Sequence, residues 1–257
     1  MRGFFSALAF LTIIPFPEAL KSSRQNRMFA GYPAAGLVIG CLLSLLYLAA
    51  DKLFPDALAA ITLVAGSLLL TGAIHLDGLA DCADAFYGKR DREETLRILK
   101  DPRIGTMGGA AIGISLLARY AAVSSLSGPL VMLALPLVTA YSRTVVLIAL
   151  SFLPYVRREE GIMQESPRSP AALTALAIAV IIAVGVLLPV PTAVSLVALA
   201  GFWRLSWKRI RGCTGDVLGA SIEIAEIVFL ATLAALDHLR MAAGLFYPLV
   251  APILGAS

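Results

Sequence analysis

Asp77, Asp81 and Asp84 recur at i, i+4 and i+7 within the stretch Thr71-Gly-Ala-Ile-His-Leu-Asp-Gly-Leu-Ala-Asp-Cys-Ala-Asp-Ala-Phe86. On a helix that spacing stacks three carboxylates along one face, where they repel unless a cation lies between them. Hard oxygen donors in such a set suit Mg²⁺ or Mn²⁺, which commonly bridge carboxylates to substrate phosphates. An ion held there neutralises a diphosphate and stabilises a leaving phosphate oxygen, and a two-metal arrangement is open. Plain solvated charge is the competing reading. It suits Glu93 and Glu94, which Arg97 follows, but fits poorly for aspartates interleaved with Leu76, Leu79, Ala80 and Phe86 at the end of an apolar run. His75 stands just ahead of them with no second histidine or cysteine at ligand spacing. A structural hydrogen bond and a proton-transfer role both stay open for it.

Further polar motifs follow. In Lys100-Asp-Pro-Arg-Ile-Gly-Thr-Met-Gly-Gly109, the planar fork of Arg103 suits a phosphate. Gly105 and its neighbouring glycines let backbone N–H groups approach an anion where the next helix starts, though glycines also serve close helix packing in membranes. In Gly212-Cys-Thr-Gly-Asp-Val-Leu-Gly-Ala-Ser-Ile-Glu-Ile-Ala-Glu226, Glu223 and Glu226 lie one turn apart as the chain enters an apolar helix. Carboxylates there are costly unless they pair or bind something, whereas Asp216 and Ser221 have helix capping as their simple explanation. Arg143 lies deep inside an apolar run and is expected to face acid or phosphate inward; Arg119 has snorkelling open to it.

These groups must be positioned by membrane helices. The 257 residues are 59% hydrophobic and 15% charged, with a mean hydropathy of +0.85, against about half apolar and a quarter charged in soluble domains. The excess has no place in a water-soluble core and must face lipid. Apolar runs at 30–50, 57–76, 105–126, 130–153, 171–188, 192–206 and 222–239, with a weaker one at 242–256, predict helices, because hydrocarbon leaves no other way to satisfy the backbone. The expected fold is all-α: a polytopic integral membrane bundle of six to eight transmembrane helices, one domain spanning 1–257. Charged connections at 18–29, 77–104, 155–170 and 204–221 alternate with very short ones, and their Lys and Arg excess marks them as cytoplasmic. Phe4 to Ile14, interrupted by Pro15 and Pro17 with no cleavage motif, reads as a retained interfacial or re-entrant segment rather than a signal peptide. Cys41, Cys82 and Cys213 form no disulfide or zinc pattern.

Together the motifs resemble the cobalamin synthase family, adenosylcobinamide-GDP ribazoletransferases. The resemblance begins at Phe10-Leu-Thr-Ile-Ile-Pro-Phe-Pro17 and passes through His75 to Asp84, the most specific signature. It continues through Asp101-Pro-Arg-Ile-Gly105, Ser142-Arg143 and Tyr155-Val-Arg157, and ends at Thr214 to Ala220 with Glu223 and Glu226. Departures are small: Gly72-Ala73 where the family usually has two glycines, Ala85 where glycine is common, and Pro102 in place of a serine.

The resemblance implies a multi-pass enzyme of the bacterial inner membrane, with its site facing the cytoplasm, late in vitamin B12 assembly. It joins GDP-activated adenosylcobinamide to α-ribazole or its phosphate, releases GMP and requires Mg²⁺. In that light Asp77, Asp81, Asp84 and Asp101 are expected at the metal, and Asp77, Asp81, Asp84 and His75 are expected to be catalytic. Arg103, Gly105, Arg143, Arg157, Thr214, Asp216, Glu223 and Glu226 are expected to bind substrate. Partners implied are these small molecules, the bilayer, and self-association or association with other cobalamin-assembly enzymes; no nucleic acid is expected. Two other readings compete. A CDP-alcohol phosphotransferase also uses an Asp-rich membrane helix, but Asp81 stands where its signature has arginine after Ala80. An ion-coupled transporter would place such acids near the midplane, often in repeats, and no repeat is evident.

Overall fold

The computed structural model describes residues 1–21, 25–156 and 171–243. Eleven α-helices run through them: α1 (Arg2–Leu11), α2 (Gln25–Ala30), α3 (Tyr32–Leu53), α4 (Asp56–Thr71), α5 (Ile74–Phe86), α6 (Arg92–Ile98), α7 (Thr106–Ser125), α8 (Gly128–Phe152), α9 (Ala171–Leu187), α10 (Pro189–Ile210) and α11 (Gly215–Ala243). The chain is an all-α polytopic membrane bundle. Helices α3, α7, α8, α10 and α11 are long and apolar enough to cross a bilayer, and the bent pair α4–α5 passes the same test jointly. At 17 residues α9 sits at the lower end of spanning length. Ten residues make α1 too short to span, in keeping with an interfacial or re-entrant segment. Most of the weak run at 242–256 lies outside the described residues.

Helix α8 forms the centre. Its close partner α3 approaches along Gly36, Gly40 and Ser44, a small residue every fourth position. A Cβ on Gly36 or Gly40 would collide with the Leu135–Ala140 backbone and the Thr139 side chain. Thr139 Oγ1 donates to the Gly36 carbonyl (2.7 Å), and Ser44 Oγ donates to the Met132 carbonyl (3.0 Å). With no hydrophobic drive between helices in lipid, close backbone approach and such bonds hold the seam.

The region read as one charged connection from 77 to 104 is largely helical, because α5 and α6 lie within it. Between α4 and α5 the axis turns by 89°. Two successive left-handed residues make the turn, Gly72 (φ 62°) and Ala73 (φ 56°). The amides of Gly72 and Ala73 both return to the Leu68 carbonyl, closing α4 before α5 starts. The N-terminal segment is tied to this corner, where Ile13 N–H donates to the Leu70 carbonyl (2.9 Å). The acidic helix therefore departs sharply from the direction of the span before it.

Candidate functional site

On α5 the three aspartates follow the ridge their spacing predicts, yet they meet different surroundings. Asp77 is exposed, while Asp81 and Asp84 are half-buried. Asp84 is turned to the start of α7, where Gly105 N–H donates to Oδ2 (2.6 Å) and Gly108 N–H to Oδ1 (2.9 Å). Helix α7 has no side-chain cap of its own, so Asp84 caps it from across the fold. A carboxylate suits that place, since a helix N-terminus presents orphan N–H groups and partial positive charge. A Cβ on Gly105 or Gly108 would collide with the Asp84 carboxylate, which explains both glycines. The anion-binding turn expected around Gly105 thus exists, and the anion on it belongs to the chain itself.

Asp101 and Arg103 close on one another: Nε and Nη2 of Arg103 donate to Oδ1 (2.9 Å) and Oδ2 (2.6 Å). These bonds hold the Asp101 carboxyl well below its ordinary range, at about 2, and push Arg103 up. The Arg103 side chain is 84% exposed, so it stays accessible to a phosphate. Asp101 faces Arg103 rather than the aspartate ridge. Among the described residues no three His, Cys, Asp or Glu side chains come together as a metal-holding group. Asp77 is exposed, one turn before the half-buried Asp81.

Arg143, Glu223 and Glu226 are brought together, but deep in the bundle, at 2%, 4% and 4% exposure. Arg119 Nη2 meets Glu223 (2.6 Å), Arg119 Nη1 meets Glu226 (2.9 Å), and Arg143 Nη1 pairs with Glu226. Ser115 Oγ donates to Glu223 (2.6 Å) and Ser142 Oγ to Glu226 (3.0 Å). Two cations and two anions from α7, α8 and α11 neutralise one another where a lone charge would be prohibitive. As they stand, these four groups face each other instead of presenting charge at the surface. Arg119, for which snorkelling was open, joins the same lattice. No local signal marks it, because its acids lie more than a hundred positions away.

Thr214 and Asp216 shape the start of α11. Thr214 is buried; its Oγ1 donates to Asp216 Oδ2 (3.1 Å) and accepts from Val217 N–H (3.4 Å), the geometry of an N-cap. The exit of α8 pairs alongside: Val156 N–H bonds to the Cys213 carbonyl, and Cys213 N–H to the Pro154 carbonyl. Burial pushes the Cys213 thiol up to about 12, which keeps it unreactive. Arg157 lies outside the described residues. Across from Thr214, α11 presses on α5, because a Cβ on Gly78 would meet the Asp216 backbone at 2.7 Å.

His75, on the first turn of α5, is 6% exposed, and its Nε2 has no hydrogen-bond partner. It lines a cavity of about 290 Å³ together with Phe10, Tyr32, Tyr155 and Asp216. Sequence reasoning did not find this cavity, whose walls come from six separate stretches of chain.

A model of the family described as cobalamin-5-phosphate synthase matches residues 3–234. Several relatives bear the name adenosylcobinamide-GDP ribazoletransferase. One from Rhizobium johnstonii is 38% identical over 250 residues, covering 89% of this chain and 94% of its own. One from Brevibacillus brevis is 36% identical over 240 residues, covering 91% and 98%. One from Clostridium novyi is 30% identical over 241 residues, covering 91% and 96%. No solved structure matches significantly.

Proposed function

This chain belongs to the cobalamin-5-phosphate synthase family, and from that membership we propose that it joins GDP-activated adenosylcobinamide to α-ribazole or its phosphate, releasing GMP. A ribose hydroxyl of the acceptor attacks the phosphorus carried by cobinamide. The new O–P bond forms as the bond from that phosphorus to the GMP oxygen breaks, and a carboxylate of the α5 ridge takes the hydroxyl proton. Family membership sets the CDP-alcohol and transporter readings aside.

The observation that carries the site is the α5 ridge itself, with Asp77 and Asp81 one turn apart, Asp77 exposed, and Gly78 between them against the Asp216 backbone. Mg²⁺ typically takes one or two protein carboxylates and completes its shell with substrate phosphates, so this donor pair fits that ion. When bound, it supplies charge neutralisation for the diphosphate. We assign Asp77 and Asp81 to hold it, and Arg103 to grip the diphosphate from the exposed loop. Asp84, Asp101, Arg143, Glu223 and Glu226 act as positioning residues through the contacts described above. Catalysis then rests on orientation and charge stabilisation rather than on a covalent enzyme intermediate.

For Asp81→Asn in reconstituted membranes with saturating Mg²⁺, GMP release and cobalamin formation should fall by about 10²-fold or more. Near-normal turnover in correctly inserted protein would defeat the assignment. We further place the charged loops on the cytoplasmic side of the inner membrane, following their Lys and Arg excess. A membrane-impermeant amine reagent should reach Lys89 in inverted vesicles and not in intact spheroplasts; the opposite pattern would reverse the topology.

A further inference from the structure

We propose that the 290 Å³ cavity between α1, α3, α5 and α11 is the subsite for the flat two-ring base of the acceptor nucleoside. The inference rests on the ribazole-transfer reading above and deepens it. The cavity lies near the lower end of the ~300–1,000 Å³ typical of small-molecule sites, so it admits a bicyclic heteroaromatic and excludes a corrin macrocycle.

The lining selects among bicyclic bases. Phe10 and Tyr32 lie nearly parallel, with ring centroids 6.4 Å apart and planes at 17°, and form an aromatic wall. Val146, Leu218 and Ile222 supply aliphatic surface. A guanine carries polar atoms around most of its rim, and each one left facing the aliphatic part of the lining costs about 1–3 kcal/mol. A benzimidazole-type base has an apolar carbocycle and, once joined to ribose, a single free ring nitrogen. Tyr32, His75, Tyr155 and Asp216 place polar side chains on the same lining to meet it.

The location fits the reaction as well. Asp216 lines the cavity, and its backbone abuts Gly78, the residue after Asp77. A nucleoside whose base fills the cavity therefore has its ribose beside the aspartate ridge. The base subsite and the phosphoryl-transfer site share one wall, α5.

The test uses the full chain in lipid nanodiscs and two variants that change cavity size in opposite directions. Val146→Phe fills the cavity and Phe10→Ala enlarges it; Phe10 is 36% exposed, so its truncation removes less packing than a change at a buried position, and it carries the test if the filled variant does not fold. Val146→Phe should raise KM for α-ribazole about tenfold or more while KM for GDP-activated cobinamide stays within twofold. Phe10→Ala should weaken α-ribazole and let bulkier N-ribosides compete. The proposal is overturned if both KM values rise together, if neither moves, or if only inhibition by GMP changes, which would give the cavity to guanine. Failure of the wild-type protein to use α-ribazole at all would remove the functional reading and this subsite with it.

Discussion

At the scale of single residues, similar carboxylates do different work. Asp77, Asp81 and Asp84 share one helical ridge, and Asp84 on it reaches the α7 amides. Hydrogen bonds to a charged partner contribute about 1.5–3 kcal/mol each where a capping role is fulfilled, and losing an N-cap typically costs about 1 kcal/mol. Asp84→Ala should therefore lower stability by about 1–3 kcal/mol, read as a drop in the thermal unfolding midpoint in detergent. Asp77→Ala, which removes an exposed side chain, should leave that midpoint nearly unchanged while abolishing Mg²⁺-dependent turnover. Equal melting shifts for the two would contradict the division of roles. The Asp101–Arg103 pair has a clear sign with pH. Its carboxyl is depressed to about 2, so its contribution is fully present above the ordinary carboxylate range and is lost only as pH falls toward 2. Around neutrality the pair stays charged.

At the scale of elements, the corner between α4 and α5 sets where the ridge points. Ala73 occupies a left-handed conformation that costs an L-residue about 1–2 kcal/mol relative to glycine, which tolerates it freely. The apolar run at 57–76 and the acidic spacing starting at 77 were both legible in the sequence. The 89° turn inside that run, at Gly72–Ala73, was not, since a Gly-Ala pair permits a left-handed corner without requiring it. Ala73→Gly should stabilise the protein by about 1 kcal/mol, measured as a higher unfolding midpoint, with turnover retained. A destabilised variant would show that the corner is held by the alanine methyl instead.

At the scale of the molecule, the buried lattice of Arg119, Arg143, Glu223 and Glu226 binds α7, α8 and α11 into one body behind α5. Removing one member of a buried pair leaves an uncompensated charge, at a cost of about 3–5 kcal/mol. Glu226→Gln is expected to show a loss of that size in unfolding experiments, with part of it recovered by adding Arg143→Met. If Glu226→Gln instead raises KM for one substrate at unchanged stability, the acid faces substrate during turnover and the purely internal role is wrong.

Taken alone, the sequence determined the solvent of this chain and the rhythm of its helices. Apolar run length and the 3.6-residue period are properties of contiguous segments, so the spans and the one-face aspartates could be read directly. Partnership was decided only by tertiary structure. Whether an anion on the α7 amides comes from substrate or from Asp84, or whether Arg119 points to the interface or to Glu223, depends on packing between segments as far as 108 positions apart. Such contacts are selected by how whole helices fit against one another, and no local pattern encodes them.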